Sequence, residues 1–176
     1  DAINQGQSYI EHIDGEWLMQ AKQQQKLEAT TDFARAAEAD ALILCVPTPL
    51  NQYRKPDLSF IRATMAGLLP HLRAGQVLSL ESTTYPGTTE EELRPLLEQR
   101  GFTVGEDLFL VYSPEREDPG NAHFTTSTSP KVMGGSTPAG GAAGGALSER
   151  AQSQVCEVAS TLPAQRPRLL GTLPRP

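Results

Sequence analysis

Residues 80–92, LESTTYPGTTEEE, decide the fold expected for this chain. They follow residues 76–80, an apolar run typical of a short buried strand. They lead into residues 89–100, where leucines recur at helical spacing behind a hydroxyl-then-glutamate start that resembles a capping box. Hydroxyls and free backbone amides at such a strand end are where open α/β sheets bind ligands, and helix amino ends favour phosphate. The alternative is that residues 82–84 only cap and turn the chain.

Other apolar segments extend this pattern in both directions. Residues 41–46 and 108–111 predict two more strands, residues 27–31 a shorter alternating one, and residues 58–69 a helix. The run at 41–46 has no alternation, which is typical of a strand buried on both faces of a parallel sheet. The rhythm of strand and helix predicts right-handed crossovers in one parallel α/β sheet with helices on both faces.

Each of the three main strands ends in a polar loop that contains proline. The loops are VPTP, ESTTYPG and YSPEREDPG. Because the carboxyl ends of parallel strands meet at one edge of a sheet, we expect five polar side chains to converge there: Thr48, Ser82, Thr83, Thr84 and Glu115. A carboxylate at this edge can act as a base or position a water. The alternative for Glu115 is a charged loop that only faces solvent.

The end of the chain has a different composition. Glycine pairs begin at residues 134, 140 and 144, and a strand is expected at 154–159. Four prolines in residues 163–176 argue against a helix, so we expect this segment to be irregular. The two cysteines, Cys45 and Cys156, lie inside apolar runs and are expected to be buried small hydrophobes.

Length and charge limit the possible functions. With 176 residues and a net charge of −6, the chain is expected to form one domain. Beyond the scattered Arg166 and Arg168 there is no basic cluster, which argues against nucleic acid and anionic membrane as partners. The apolar runs are too short to span a membrane and no leader pattern is seen, so a cytoplasmic location is expected.

One motif is absent from the sequence. Dinucleotide-binding domains normally begin with a strand, a GxGxxG turn and a helix, and no three glycines here have that spacing. Either the chain has another fold, or its first strand-helix-strand unit lies before Asp1. The beginning of the chain reads as the middle of a helix, which favours the second interpretation.

Three stretches together resemble the nucleotide-sugar (UDP-glucose/GDP-mannose) 6-dehydrogenase family. They are ADALILCVPTPL, PDLSFIRATMAGLLPHLRAGQVLSLESTTYPGTTEE and FLVYSPEREDPGNAHFTTSTSPKVMGG. The SPEREDPGN form is most similar to the bacterial UDP-N-acetylglucosamine branch. The resemblance implies a Rossmann-like fold without its first strand-helix-strand unit. Its domains would be a partial NAD-binding domain at 1–135, the end of the same domain at 136–161, and an irregular proline-rich remnant of the central helix at 162–176.

The resemblance also implies an activity in nucleotide-sugar metabolism and polysaccharide biosynthesis. It implies an NAD-dependent enzyme that oxidises the C6 hydroxymethyl of a UDP-sugar, UDP-N-acetylglucosamine or UDP-glucose, to a carboxylate. A UDP-sugar is then the substrate, with no metal, and the full-length form could be a homo-oligomer. The residues implied to line the NAD site are Val46, Pro47, Thr48, Glu81, Ser82 and Thr83.

Two catalytic roles follow from the same resemblance. Glu115 matches the glutamate on which hydrolysis of a thioester intermediate depends, and Thr83 matches the hydroxyl that positions the reacting water, with Thr84 as the alternative. The family's nucleophilic cysteine and sugar-binding domain are missing, and neither Cys45 nor Cys156 matches that nucleophile. We therefore expect the isolated chain to be inactive. The alternative is a degenerate, non-catalytic α/β module for binding or assembly.

Overall fold

The computed structural model describes residues 2–9, 13–50, 52, 56–114, 131–150 and 155–165. The chain divides into two compact units, Asp1–Phe33 and Ala34–Pro176. The first unit contains a 3-10 turn at Ile3–Gln5 and helix α1 at Gly15–Gln23. Asp14 caps α1 by accepting a hydrogen bond from a backbone amide of its first turn, as expected for a carboxylate at a helix start.

The strand expected at residues 27–31 is wrong. These residues, all of them described, form no strand. Instead, the backbone of Ala29 pairs with the carboxamide of Asn4: the Asn4 Nδ2 donates to the Ala29 carbonyl at 2.7 Å, and the Ala29 amide donates to Oδ1 at 2.8 Å. A strand needs a neighbouring strand to bond its backbone groups, and here a side chain takes that place.

The second unit is built around a five-stranded sheet. In sheet order, which is also chain order, the strands are β1 (Ala41–Leu44), β2 (Val77–Leu80), β3 (Phe109–Tyr112), β4 (Lys131–Gly135) and β5 (Val155–Val158). β1, β2 and β3 are parallel, β4 is antiparallel to β3, and β5 is parallel to β4. The Rossmann-like α/β class is thus confirmed, although the parallel order that we expected throughout extends only to β3.

The reversal of strand direction between β3 and β4 agrees with the sequence pattern between them. Parallel neighbours need a long crossover, usually a helix, whereas antiparallel neighbours need none. The alternation of strands and helices that predicted crossovers ends at Tyr112, and no apolar helical period precedes Lys131.

Helices cover both faces of the sheet. They are α2 (Ser59–Leu68), a π-helical turn (Thr89–Leu93) that continues into α3 (Arg94–Gln99), α4 (Pro138–Glu149) and α5 (Thr161–Gln165). Two 3-10 segments lie at Phe33–Glu38 and Leu69–His71. The helices expected at 58–69 and 89–100 are therefore confirmed, the second with a π-helical first turn.

The core lies between one face of the sheet and the pair α2 and α3. Its fully buried members come from both layers: Ile61, Met65, Leu93, Leu97, Leu78, Leu80, Leu110 and Tyr112. Side chains alternate along a strand, so Val111 points to the opposite face. There α4 packs so closely that a Cβ on Gly144 would lie 2.9 Å from Val111 Cγ1.

Two adjacent glycines of β4 let helical segments approach both faces. A Cβ on Gly134 would lie 2.1 Å from the carbonyl oxygen of Ser160, and one on Gly135 would lie 2.0 Å from the backbone nitrogen of Gly141. Both distances are far inside van der Waals contact, so a side chain at either position would displace backbone. The glycine pair at 134 and 135 therefore lies where other backbone segments pack directly against β4.

Burial at the sheet edge differs from expectation. Ile43 of β1 is 52% exposed, although we expected this strand to be buried on both faces. The reason is that β1 is the edge of the described sheet and α4 packs on β2, β3 and β4. Cys45 and Cys156 are both exposed and not buried as expected, because they lie next to or within the two edge strands.

The prediction of irregular structure from residue 163 onward is wrong at its start. α5 includes Pro163 at its third position. The amide that proline lacks would have had no intrahelical partner in the first turn, so proline is tolerated there. Residues 166–176 lie outside the described residues.

Candidate functional site

The loops after β1 and β2 are joined at the carboxyl edge of the sheet. β1, β2 and β3 end level, with Leu44, Leu80 and Tyr112 in register. Beyond them the amide of Val46 donates to Ser82 Oγ at 2.9 Å, and Ser82 Oγ donates to the Val46 carbonyl at 2.8 Å. We call this hydrogen-bonded edge, residues 46–48 and 81–84, the rim.

A second bond holds the rim further out. Thr48 Oγ1 donates to the carbonyl of Thr83. Ser82 is 5% exposed and its hydroxyl serves the junction, whereas Thr83 is exposed. The structure thus brings Val46, Thr48, Ser82 and Thr83 together, with Pro47 in the same loop. Glu115 lies outside the described residues.

Glu81 is occupied by protein partners on both carboxylate oxygens. Lys131 Nζ lies 2.7 Å from Oε2, and Ser79 Oγ donates to Oε1 at 3.2 Å. The Glu81 and Lys131 side chains are 8% and 14% exposed, which makes this the most buried ion pair among the described residues. Because the two charges compensate each other, this part of the rim carries little net charge. The sequence pattern gave no signal for Lys131.

Thr84 has a different environment from its neighbours. It is 8% exposed, and within the described part of the chain its Oγ1 is the buried side-chain polar atom that has no hydrogen-bond partner. Buried hydroxyls are nearly always paired with protein or ordered water. An unpaired one at the rim therefore fits a position where a ligand or water supplies the partner.

The start of the helix after the rim is closed by a side chain. The Gly87 amide donates to Gln165 Oε1 at 2.5 Å, and Gln165 Nε2 donates to Thr89 Oγ1 at 2.9 Å. Thr88 makes no side-chain cap and instead donates its hydroxyl to the Tyr85 carbonyl. The expected capping box is thus wrong, because Thr88 does not cap the helix. The expected free amide is also wrong at Gly87, because the buried carboxamide of Gln165 bonds to it.

Charged groups stabilise the same helix start from α2. Arg62 forms a bidentate pair with Glu92, with Nε 2.9 Å from Oε2 and Nη2 2.8 Å from Oε1. The hydrogen bond from Arg62 lowers the pKa of Glu92, against the opposite effect of burial. Burial, and then the negative charges of Glu92 and Glu91, raise the pKa of Tyr85, so this phenol stays protonated at neutral pH.

In the described residues no helix is long and apolar enough to cross a membrane. The sheet, its hydroxyl-bearing carboxyl edge and the helices on both faces define an α/β nucleotide-binding domain. The chain belongs to the UDP-glucose/GDP-mannose dehydrogenase family, because residues 1–152 match the model of that family's NAD binding domain. The family consists of oxidoreductases whose cofactor is NAD.

Individual relatives support this membership. The chain is 36% identical over 137 residues to UDP-N-acetyl-D-glucosamine 6-dehydrogenase of Pseudomonas aeruginosa, covering 77% of this chain and 32% of that protein. It is 32% identical to UDP-N-acetyl-D-mannosamine dehydrogenase of Salmonella typhi, covering 96% of this chain and 41% of the relative. The chain thus spans about a third of the length of the curated relatives that it matches.

Solved structures agree. The UDP-N-acetyl-mannosamine dehydrogenase Cap5O from Staphylococcus aureus matches with a TM-score of 0.86 and 30% identity, over 97% of this chain and 42% of that chain. UDP-D-ManNAc dehydrogenase from Pyrococcus horikoshii matches with a TM-score of 0.88 and 26% identity, over 97% of this chain and 41% of that chain.

Proposed function

We propose that this chain provides the carboxyl-edge half of the NAD site of a nucleotide-sugar 6-dehydrogenase. The oxidised group is the C6 hydroxymethyl of a UDP-sugar, UDP-N-acetylglucosamine or UDP-glucose, and the product is a carboxylate. The observation that carries the proposal is the hydrogen-bonded junction of the two rim loops, Val46 with Ser82 and Thr48 with Thr83. Relatives named for UDP-N-acetyl sugars favour the N-acetyl branch.

The rim fits a neutral, hydroxyl-bearing part of NAD better than its pyrophosphate. Glu81 is neutralised by Lys131, and the Gly87 amide is already bonded to Gln165, so neither offers an anion site. Thr84 Oγ1 lacks a partner among the described residues and can bond to a ligand hydroxyl, an amide or a bound water. These features support a ribose contact at the rim.

Roles for individual residues are proposed from the resemblance, and the rim geometry supports those of the described residues. NAD would accept a hydride from the substrate's C6 carbon in each of two successive oxidations, and water would supply the second carboxylate oxygen. Val46, Pro47 and Thr48 would form one wall of its site, and Glu81, Ser82 and Thr83 the other. Thr83 is the proposed hydroxyl for orienting the reacting water, with Thr84 as the alternative, and Glu115 is the proposed base for hydrolysis.

We further propose that the isolated chain does not complete the reaction. The sequence has no GxGxxG turn to hold the pyrophosphate and no cysteine that matches the family's nucleophile. A cytoplasmic location, and a homo-oligomer in the full-length form, stay predictions. Because the GxGxxG turn and the nucleophilic cysteine are missing, no NADH should form when the chain is mixed with NAD and either UDP-sugar. Measurable turnover would contradict this part of the proposal.

Titration of the isotope-labelled chain with NAD, followed by amide NMR, tests the rim itself. We expect weak binding, on the order of 1 mM or about −4 kcal/mol, because half of the site is absent. Shifts should concentrate at residues 46–48 and 81–84. Thr84→Val should weaken binding while the matched Thr84→Ser retains it, since only serine keeps the hydroxyl. Shifts elsewhere, or none at saturating NAD, would reject the proposal and favour the non-catalytic module.

A further inference from the structure

A buried polar latch joins α5 to the turn that follows the rim. Gln165 is 1% exposed, and both ends of its carboxamide are used, at the Gly87 amide and the Thr89 hydroxyl. One helical turn earlier, Thr161 Oγ1 donates to Glu90 Oε1 at 2.9 Å, and Thr161 is also 1% exposed. We call these three bonds the latch. The two Gln165 bonds are buried, and bonds so removed from water have no easy replacement when one partner is lost.

The latch connects directly to the rim along the chain. Only Tyr85 and Pro86 separate Thr84 from Gly87, so a shift of Gly87 is carried to Thr84 within two residues. Gly87 has φ +107, a conformation that other residues rarely adopt, and a Cβ there would lie 2.6 Å from Glu91 Oε1. A side chain at Gly87 would therefore be strained, and the far end of this turn is bonded to Gln165.

The other end of the latch is equally restricted. The segment before α5 crosses β4 at Gly134, where a Cβ would lie 2.1 Å from the Ser160 carbonyl oxygen. Ala164 of α5 is fully buried in the same core cluster as the strands. α5 is thus packed on the sheet, and this position directs the side chain of Gln165 toward Gly87.

We propose that Gln165 is a positioning residue for the rim: its carboxamide fixes the turn at residues 85–87 and, through it, the ligand-binding arrangement of Ser82, Thr83 and Thr84. This inference rests on the proposed function for the statement that the rim binds NAD. The side-chain hydrogen bonds of Gln165 go to Gly87 and Thr89, outside the rim, so it acts through Gly87. Whatever moves α5 also changes the rim.

The test uses three variants of the whole chain. Gln165→Met keeps the length and volume of the side chain but cannot bond to Gly87 or Thr89. Gln165→Glu, whose buried carboxyl group in its protonated form offers an acceptor to the Gly87 amide and a donor to the Thr89 hydroxyl, is the conservative rescue. Val104→Ala, at a buried site in the loop before β3, lowers stability without touching the latch.

Two readouts separate positioning from stability. In the unliganded chain, amide exchange at residues 82–87 should rise about tenfold in Gln165→Met, as expected for loss of a buried hydrogen bond, and remain near wild type in Val104→Ala and Gln165→Glu. NAD affinity, measured well below each melting temperature, should fall about tenfold in Gln165→Met alone.

The outcomes distinguish the two proposals. Equal exchange at residues 82–87 in Gln165→Met and Val104→Ala would overturn the positioning role, whether or not NAD binds. Raised exchange in Gln165→Met with an unchanged NAD affinity would overturn it as well. Raised exchange in a chain whose wild type shows no NAD shifts would support the latch and reject the proposed function.

Discussion

The two halves of the sheet are held together by different means. β1, β2 and β3 are joined to α2 and α3 by large apolar side chains that fill a common core. β4 is joined to α4 and to the segment before α5 by glycines at which backbones approach each other directly. The first half loses stability when its core side chains are removed, whereas the glycine contacts of the second half lose stability when side chains are added.

The largest effect is expected when a large apolar side chain is removed from the core of the first half. Leu80 is fully buried in the core cluster, and Leu80→Ala should cost about 2–5 kcal/mol in the free energy of unfolding, because it removes apolar contacts and leaves a cavity. Urea denaturation followed by circular dichroism measures it. Ile43→Ala, in the neighbouring strand but 52% exposed, is the control and should cost far less. Equal losses would mean that burial does not separate the two sites.

The second half is tested by adding one methyl group. Gly134→Ala should cost about 1–3 kcal/mol in the free energy of unfolding, because the new Cβ would meet the backbone at Ser160. Gly141→Ala is the matched control in α4, where the nearest atom would be 3.9 Å away. There alanine should stabilise the chain by about 0.5–1 kcal/mol through helix propensity. The same denaturation experiment would contradict the comparison if both changes had the same sign.

The smallest effect concerns the ion pair that ties α2 to the helix start. Arg62 is 62% exposed and solvent screens the pair, so Glu92→Gln should cost about 0–1 kcal/mol in the free energy of unfolding at neutral pH. The pKa of Glu92 is lower in the folded chain than in the unfolded chain. The pair therefore contributes stability above the unfolded pKa of about 4.3 and loses it as pH falls through the folded value.

Denaturation of wild type and Glu92→Gln across a pH series checks this prediction. The difference between them should be present at neutral pH and disappear in acid. Added salt should reduce it at neutral pH as well, because the pair is partly exposed. A difference that grows on acidification would contradict the assigned direction of the pKa shift.

The same contrast explains how much of the fold could be predicted from the sequence. β1, β2, β3 and the helices after the first two of them carry long apolar side chains whose spacing reports the element directly. α4 was not predicted, because its contacts are made by glycines, which carry no periodic apolar signal. α5 was rejected on its prolines, although Pro163 lies where a missing amide costs little.

The candidate site shows a similar division. Hydroxyls after two buried strands predicted the meeting of Thr48 with Thr83, because parallel strand ends share an edge. Lys131, which reaches the rim, and Gln165, which reaches the turn after it, were missed because both come from distant parts of the chain. Their partners, Glu81 and Gly87, lie 50 and 78 residues away in sequence. Such contacts depend on how β4 and α5 pack, which local patterns do not report.

Through-space proton contacts measured by NMR on the intact chain test whether the loops after β1, β2 and β3 meet at one edge of the sheet. If they meet, the side chain of Thr48 gives contacts with the backbone at Thr83, and we propose that Glu115 also has contacts with residues of this edge. Contacts of Thr48 or Glu115 with Gln76 or Val104, at the opposite ends of β2 and β3, would contradict this meeting of the loops.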